Sequence, residues 1–189
     1  RYNLMGSNNT FNINILKVIM IKKKVEEIAN NFYRLSKIGI EDIQKAKDVI
    51  INSLSNGNKI MFCGNGGSAA DSQHLAAELI GRYKINREPL SALALTTDTS
   101  TITAVSNDFS FDDIFSRQIK ALGKKGDVLY AISTSGNSKN VINAIKQSRK
   151  QEIIVIGITG EEENKMDDIC DILIKVPASQ PDRIQEMHI

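Results

Sequence analysis

Cysteine is scarce in this chain: Cys63 and Cys170 are the only two among 189 residues. They stand far apart, with neither the density of a disulfide scaffold nor the spacing of a metal knuckle, so a reducing, cytoplasmic compartment is expected. An excess of one charge is lacking too. Lys and Arg number 24 against 22 Asp and Glu, a formal balance of +2, too little to support nucleic-acid binding by bulk electrostatics. No apolar run approaches the roughly 20 residues that span a bilayer, so no membrane partner is expected. A secretory pattern is missing as well: Lys22–Lys24 follow the apolar run Ile15–Ile21, whereas a signal peptide carries its charge ahead of its apolar part. What is present, at 41% hydrophobic residues, suffices for one domain with a real core.

Residues 1–20 open with an Asn-, Gly- and Ser-rich stretch of no clear period and are expected to be a disordered or non-native leader, with Met20 a natural start. Residues 21–57 read as N-terminal helices: Val25, Ile28, Ala29, Phe32 and Leu35 recur at helical spacing, Gly39 interrupts, and Ile43, Ala46, Val49, Ile50 and Leu54 resume it. Residues 58–189 then alternate short apolar runs (Lys59–Cys63, Leu90–Leu95, Asp127–Ile132, Ile153–Ile158, Ile172–Val176) with helical or loop-plus-helix stretches. Continuous apolar strands alternating with helices predict an α/β three-layer sandwich around a five-stranded parallel sheet. No internal repeat is visible.

Ligands of such sheets bind beyond the carboxyl ends of the strands. The first of these ends is Gly64-Asn65-Gly66-Gly67-Ser68, where glycines permit a sharp turn and close approach, and Ser68 is a candidate cap for a helix reaching about Tyr83. A dinucleotide fingerprint, Gly64-x-Gly66-x-x-Ala69, competes for this loop. It wants an acidic residue at the second strand tip, and Asp98 comes late, within a Thr-rich loop. The third strand end, Ser133-Thr134-Ser135-Gly136-Asn137-Ser138, gathers four hydroxyls ahead of a helix running to Lys150, with Ser138 the expected N-cap. Neutral hydroxyls and main-chain N–H groups there suit a phosphate, against the plainer reading of an ordinary capped loop. His74 and Glu78 stand one turn apart on one helix face, a geometry for two ligands of one metal, for a base and its orienting partner, or for an exposed pair. Asn107 and Asp108 lie between two helical stretches and suit either a cap for Phe111–Leu122 or a sugar hydroxyl. Gln185 and His188 share a side of a last helical segment.

Taken together, Cys63–Ser68, His74–Leu79, Gly81–Tyr83, Ala94–Asp98, Asn107–Phe109, Ile132–Ser138 and Arg183–Glu186 resemble the phosphoheptose isomerase family, from about Ile43 to the last residue. The resemblance implies the sugar isomerase (SIS) fold and a homotetramer with sites between subunits. It implies conversion of sedoheptulose 7-phosphate to D-glycero-D-manno-heptose 7-phosphate, toward lipopolysaccharide heptoses, with a bound zinc ion. By matching motif, Asn65, Gly66, Gly67, Asn107 and Asp108 would contact substrate, and Ser133, Thr134, Ser135 and Ser138 would hold the phosphate. His74, Glu78 and Gln185 would be zinc ligands, Glu78 and Gln185 also touching substrate, with Glu78 the acid/base. The family's second histidine ligand falls about two turns past Gln185, beyond Ile189, and His188 comes too early to be it; the last helix is expected to be truncated. The alternative relative is a non-catalytic SIS-domain regulator that binds the replication initiator protein, which resembles the enzyme but lacks the helix glutamate and one loop glycine retained here.

Overall fold

The computed structural model describes residues 7–189. Helix α1 (Ser7–Ile38) runs into α2 (Ile40–Ser55) through Gly39 alone. Much of the stretch expected to be a leader, from Ser7 to Met20, therefore forms the opening turns of α1, while residues 1–6 lie outside the described residues. No Gly or Pro occurs between Ser7 and Ile38, and once a helix is nucleated each added turn is cheap. Gly39 bends rather than breaks the path: its φ of −99° stays in the helical region, and its N–H donates to Leu35 O at 2.9 Å.

Five strands follow: β1 (Ile60–Cys63), β2 (Ala92–Ala94), β3 (Val128–Ile132), β4 (Ile154–Gly160) and β5 (Ile172–Val176). They form one parallel sheet in the order β2-β1-β3-β4-β5. Burial explains the composition of the central strands: every residue of β1 is buried, and β3 has one half-buried position, Tyr130. On one face, α4 (Thr99–Asp108), α5 (Ile114–Leu122) and α6 (Lys139–Lys150) cover the sheet through Phe115, Ile119, Val141 and Ile145. On the other, α2, α3 (Gly67–Ile80) and α7 (Pro181–His188) do so through Ala46, Ala76, Ile184 and Met187. The three-layer α/β expectation matches this architecture.

Several boundaries move, for reasons visible in the hydrogen bonds. Strand β2 is shorter than the apolar run because Leu90 N–H donates to Leu79 O at 3.0 Å, closing the end of α3 instead of joining the sheet. Arg87 completes that closure with bonds to Glu78 O at 2.9 Å and Leu79 O at 2.8 Å, so α3 stops at Ile80 and Tyr83 falls outside it. Thr159 and Gly160, expected past the strand, pair with Lys175 and Val176 within β4. Asn107 and Asp108 are the last residues of α4 rather than a cap; Ser110 caps the short 3-10 turn Phe111–Asp113 by accepting from Asp112 N–H at 3.0 Å.

His188 ends α7 pointing inward, 5% exposed, with neither ring nitrogen bonded to any described residue. It lines a groove shared with Lys47 and Tyr130. Burial lowers its imidazole to about 4, with the nearby Thr159 main chain pulling weakly the other way. The unfolded chain therefore takes up this proton near its ordinary value while the folded chain resists it, so stability is lost as pH falls through that window. The loss through this one group reaches on the order of 2 kcal/mol by about pH 5. Denaturant unfolding of the parent and of His188→Leu across about pH 7 to 5 should give the variant the shallower pH dependence; parallel curves would place the titration elsewhere.

Candidate active site

The strand order reverses direction between β1 and β3: β2 lies on one side of β1, and β3, β4 and β5 on the other. The helices after β1 and β3 consequently leave on opposite faces, and the loops before them diverge into a crevice, the position where open α/β sheets bind ligands. Both helices present their N-termini there, the Val141 N–H of α6 being taken by Asn140 Oδ1 at 2.9 Å. Helix α3 begins after Gly66 and α6 after Ser138, and neither has a side-chain cap. Ser68, expected as the cap of α3, is instead its second residue and buried. Ser138 occupies the cap position of α6, but its hydroxyl lies 3.2 Å from Ser133 Oγ. By contrast α4 is closed by Asp98, whose carboxylate accepts from Thr101 N–H at 3.0 Å. That engagement removes Asp98 as a free ribose-binding acid and disfavours the dinucleotide reading of the glycine loop. The N–H groups and positive ends of α3 and α6 are neutral donors of the kind that suit an anion.

Two glycines are demanded by this geometry. Gly66 has φ +57° and ψ −121°, a conformation open to glycine alone. A Cβ on Gly67 would collide with the Gln185 carboxamide, which lies directly against it. Gln185 thus reaches from α7 across to the first turn of α3. Across the crevice, Asn65 and Asn140 exchange two side-chain hydrogen bonds of 2.8 Å each.

Further along α3 the helix carries the titratable pair. His74 Nε2 and Glu78 Oε1 stand 3.5 Å apart, both substantially exposed. They line a groove of about 500 Å³ with Phe62, Tyr83 and Tyr130. Asp71 sits one turn earlier on the same face; burial raises its carboxyl, while His74 and the Gln185 amide pull the other way. Two ligands of one tetrahedral zinc ion, each about 2.0–2.1 Å from it, stand about 3.4 Å apart. The His74–Glu78 separation matches that spacing, and an imidazole nitrogen with a carboxylate oxygen is a donor set zinc accepts. Among the described residues no group of three His, Cys, Asp or Glu side chains forms a metal cage.

The chain therefore brings Asn65, Gly66 and Gly67 opposite Ser133, Thr134, Ser135 and Ser138, with Gln185 seated on the first loop. His74 and Glu78 occupy a second groove along the same helix. Asn107 and Asp108 are not gathered with them: they lie exposed at the end of α4, joined to each other by a 2.8 Å hydrogen bond. Two members of the site carry no sequence signal strong enough to mark them. Asn140 reads as an ordinary polar residue in a helical first turn. Asp71 offers only its helical spacing from His74.

The profile of the SIS domain matches residues 25–160. Among curated proteins, the phosphoheptose isomerase of Aliarcobacter butzleri is 56% identical over 149 residues, 79% of either chain. That of Rhodospirillum rubrum is 58% identical over 147 residues, 78% of either chain. Among solved structures, phosphoheptose isomerase from Neisseria gonorrhoeae superposes with a TM-score of 0.85 at 44% identity, covering 90% of this chain and 91% of that one. The chain belongs to the SIS-domain family and, within it, to the phosphoheptose isomerases.

Gly67→Ala should leave thermal unfolding close to the parent, because only the end of a flexible side chain must move aside. The same change should weaken binding of phosphate-bearing ligands, since Gln185 is pushed into the crevice. Unaltered affinity by titration calorimetry would show that Gln185 has no hold on the site.

Proposed function

We infer that this chain is an aldose–ketose isomerase acting on sedoheptulose 7-phosphate to yield D-glycero-D-manno-heptose 7-phosphate for heptose biosynthesis, working in a reducing cytoplasm. One observation carries the reading: an anion site made of two uncapped helix ends lies on the same helix as an imidazole–carboxylate pair. From Gly67 to Glu78 is about three turns, or about 16 Å of helix. An open-chain heptose phosphate extends about 10 Å from phosphorus to its first carbon, taking carbon–carbon bonds of about 1.5 Å. The Glu78 side chain, tilted toward the helix N-terminus, closes most of the remainder.

Ser133, Thr134, Ser135 and Ser138, with the N–H groups of α3 and α6, hold the phosphate. Asn65, Gly66, Gly67 and Gln185 line the sugar. Glu78 removes a proton from C1 of the open-chain ketose; the resulting enediol takes up a proton at C2 while a proton passes from O1 to O2, moving the carbonyl from C2 to C1. His74, one turn away, orients the carboxylate. His74, Glu78 and Gln185 would hold zinc, which when bound supplies a Lewis acid for the sugar oxygens. Exposed apolar side chains on α1 and α2, among them Val25, Phe32, Ile40 and Ile51, support assembly with further copies, a homotetramer in this reading. Asn107 and Asp108 would then reach substrate at a subunit boundary. The regulator alternative is the poorer fit, because Glu78, Gly66 and Gly67 are all in place.

The direct test is turnover of sedoheptulose 7-phosphate by the purified protein. Glu78→Gln should lower kcat by about two to four orders of magnitude while the fold and substrate affinity persist; near-normal turnover would remove Glu78 as the base. Ser135→Ala should raise the dissociation constant for sedoheptulose 7-phosphate about tenfold, the cost of one charge-assisted hydrogen bond. An unchanged constant would move the phosphate to another loop.

A further inference from the structure

We propose that Asn140 is a positioning residue for the ligand site: buried between the two loops, it sets which way the Asn65 carboxamide faces the crevice. The proposal deepens the isomerase reading and relies on it only for the identity of the ligand.

The oxygen and nitrogen of a carboxamide have nearly the same size, so shape cannot orient the group; its hydrogen-bond partners must. Here one partner is unambiguous. The main-chain N–H of Val141 can only donate, and it points at Asn140 Oδ1 from 2.9 Å. That atom is therefore the oxygen. The same oxygen accepts from Asn65 Nδ2 at 2.8 Å, and Asn140 Nδ2 then donates to Asn65 Oδ1 at 2.8 Å. A single backbone N–H in the first turn of α6 thus determines the orientation of two side chains, the second of them on the opposite loop.

Burial makes the arrangement firm. Asn140 is 2% exposed, and a buried amide left half-bonded would cost more than the bond itself contributes. Asn65 is only half-buried. After the exchange it retains one N–H and one oxygen lone pair for a ligand. Without Asn140 the Asn65 amide could rotate or flip, and binding would have to order it at an entropic cost. Asn140 acts through Asn65 and need not touch the sugar.

The test is a double-mutant cycle in the full chain carrying Glu78→Gln, so that binding is measured without turnover. Affinity for sedoheptulose 7-phosphate is read by calorimetry with Asn65 and Asn140 intact, with Asn65→Ala, with Asn140→Ala and with both changes. Asn140→Ala should weaken binding about tenfold, and the double variant should bind no worse than Asn65→Ala alone. Parent-like affinity in Asn140→Ala, or losses that add, would overturn the proposal.

Asn140→Asp keeps the shape and serves if the alanine variant folds poorly. A charged carboxylate accepts but cannot donate, so an oxygen faces an oxygen whichever way Asn65 turns. Protonated, it regains the donor, and burial raises the pH at which that happens. The loss of affinity relative to the parent at about pH 8 should therefore shrink at about pH 5; an equal loss at both would show packing alone and overturn the proposal. Nitrogen-15 spectra of the free protein read the orientation without any ligand. The Asn65 side-chain amide proton bonded to Asn140 Oδ1 should exchange slowly in the parent and rapidly in Asn140→Ala, and equal rates would overturn the proposal. Should the parent fail to bind the sugar phosphate, the isomerase reading falls, while exchange still decides the role of Asn140.

Discussion

The reversal of strand order beside β1 is the constraint on which the site depends. With β2 on one flank and β3 on the other, right-handed crossovers send the helix after β1 to one face and the helix after β3 to the other. The two loops part above the sheet, and the paired carboxamides of Asn65 and Asn140 span the gap. The helix ends on either side keep free N–H groups, because Gly66 has no side chain and the Ser138 hydroxyl turns toward Ser133. Helices α2, α5 and α7 are uncapped as well, while α4 is closed by Asp98, so what sets α3 and α6 apart is that both ends open into the same crevice.

Distance along α3 separates two kinds of chemistry. Its N-terminus contributes uncharged donors and a positive dipole end, which suit a phosphate without a fixed cation. About two and three turns on, His74 and Glu78 bring groups of the kind that can hold a metal or move a proton. Because one rigid helix carries both, the spacing between its N-terminal donors and the Glu78 carboxylate is set by helical rise rather than by loop conformation. The Gln185 carboxamide packed on Gly67 ties α7 to the same helix, so three elements from distant parts of the chain meet around one ligand path.

Much of this was legible before the fold was known. The glycine loop announced itself because a left-handed turn into a helix admits few other residues, and the hydroxyl loop because Ser133–Ser138 concentrates donors at a strand tip. The five strands followed from buried, β-branched runs of the right length. Elsewhere local pattern misled. The Thr-rich stretch after β2 looked like loop but is largely α4, since a single Asp98 cap was enough to start a helix. Leu90 looked like strand but closes α3. Ser68 looked like a cap, yet the tight turn at Gly66 started the helix two residues earlier. Leu90 was decided by a bond to Leu79 eleven positions away, the other two by bonds within three residues, Thr101 N–H to Asp98 and Ala69 N–H to Gly66 O.

Residue types and their spacing by themselves determined the class of the fold, the glycine and hydroxyl loops at the strand ends and the His74–Glu78 pair, because these rest on periodicity and local backbone preference, which act over a few residues. Only the tertiary structure decided that Asn140 meets Asn65, that Gln185 closes on Gly67, and that Asn107 and Asp108 stand apart from the crevice within one chain. Those outcomes depend on contacts between segments far apart in sequence, brought together by packing on opposite faces of the sheet, and no local pattern records which partner a buried amide will find.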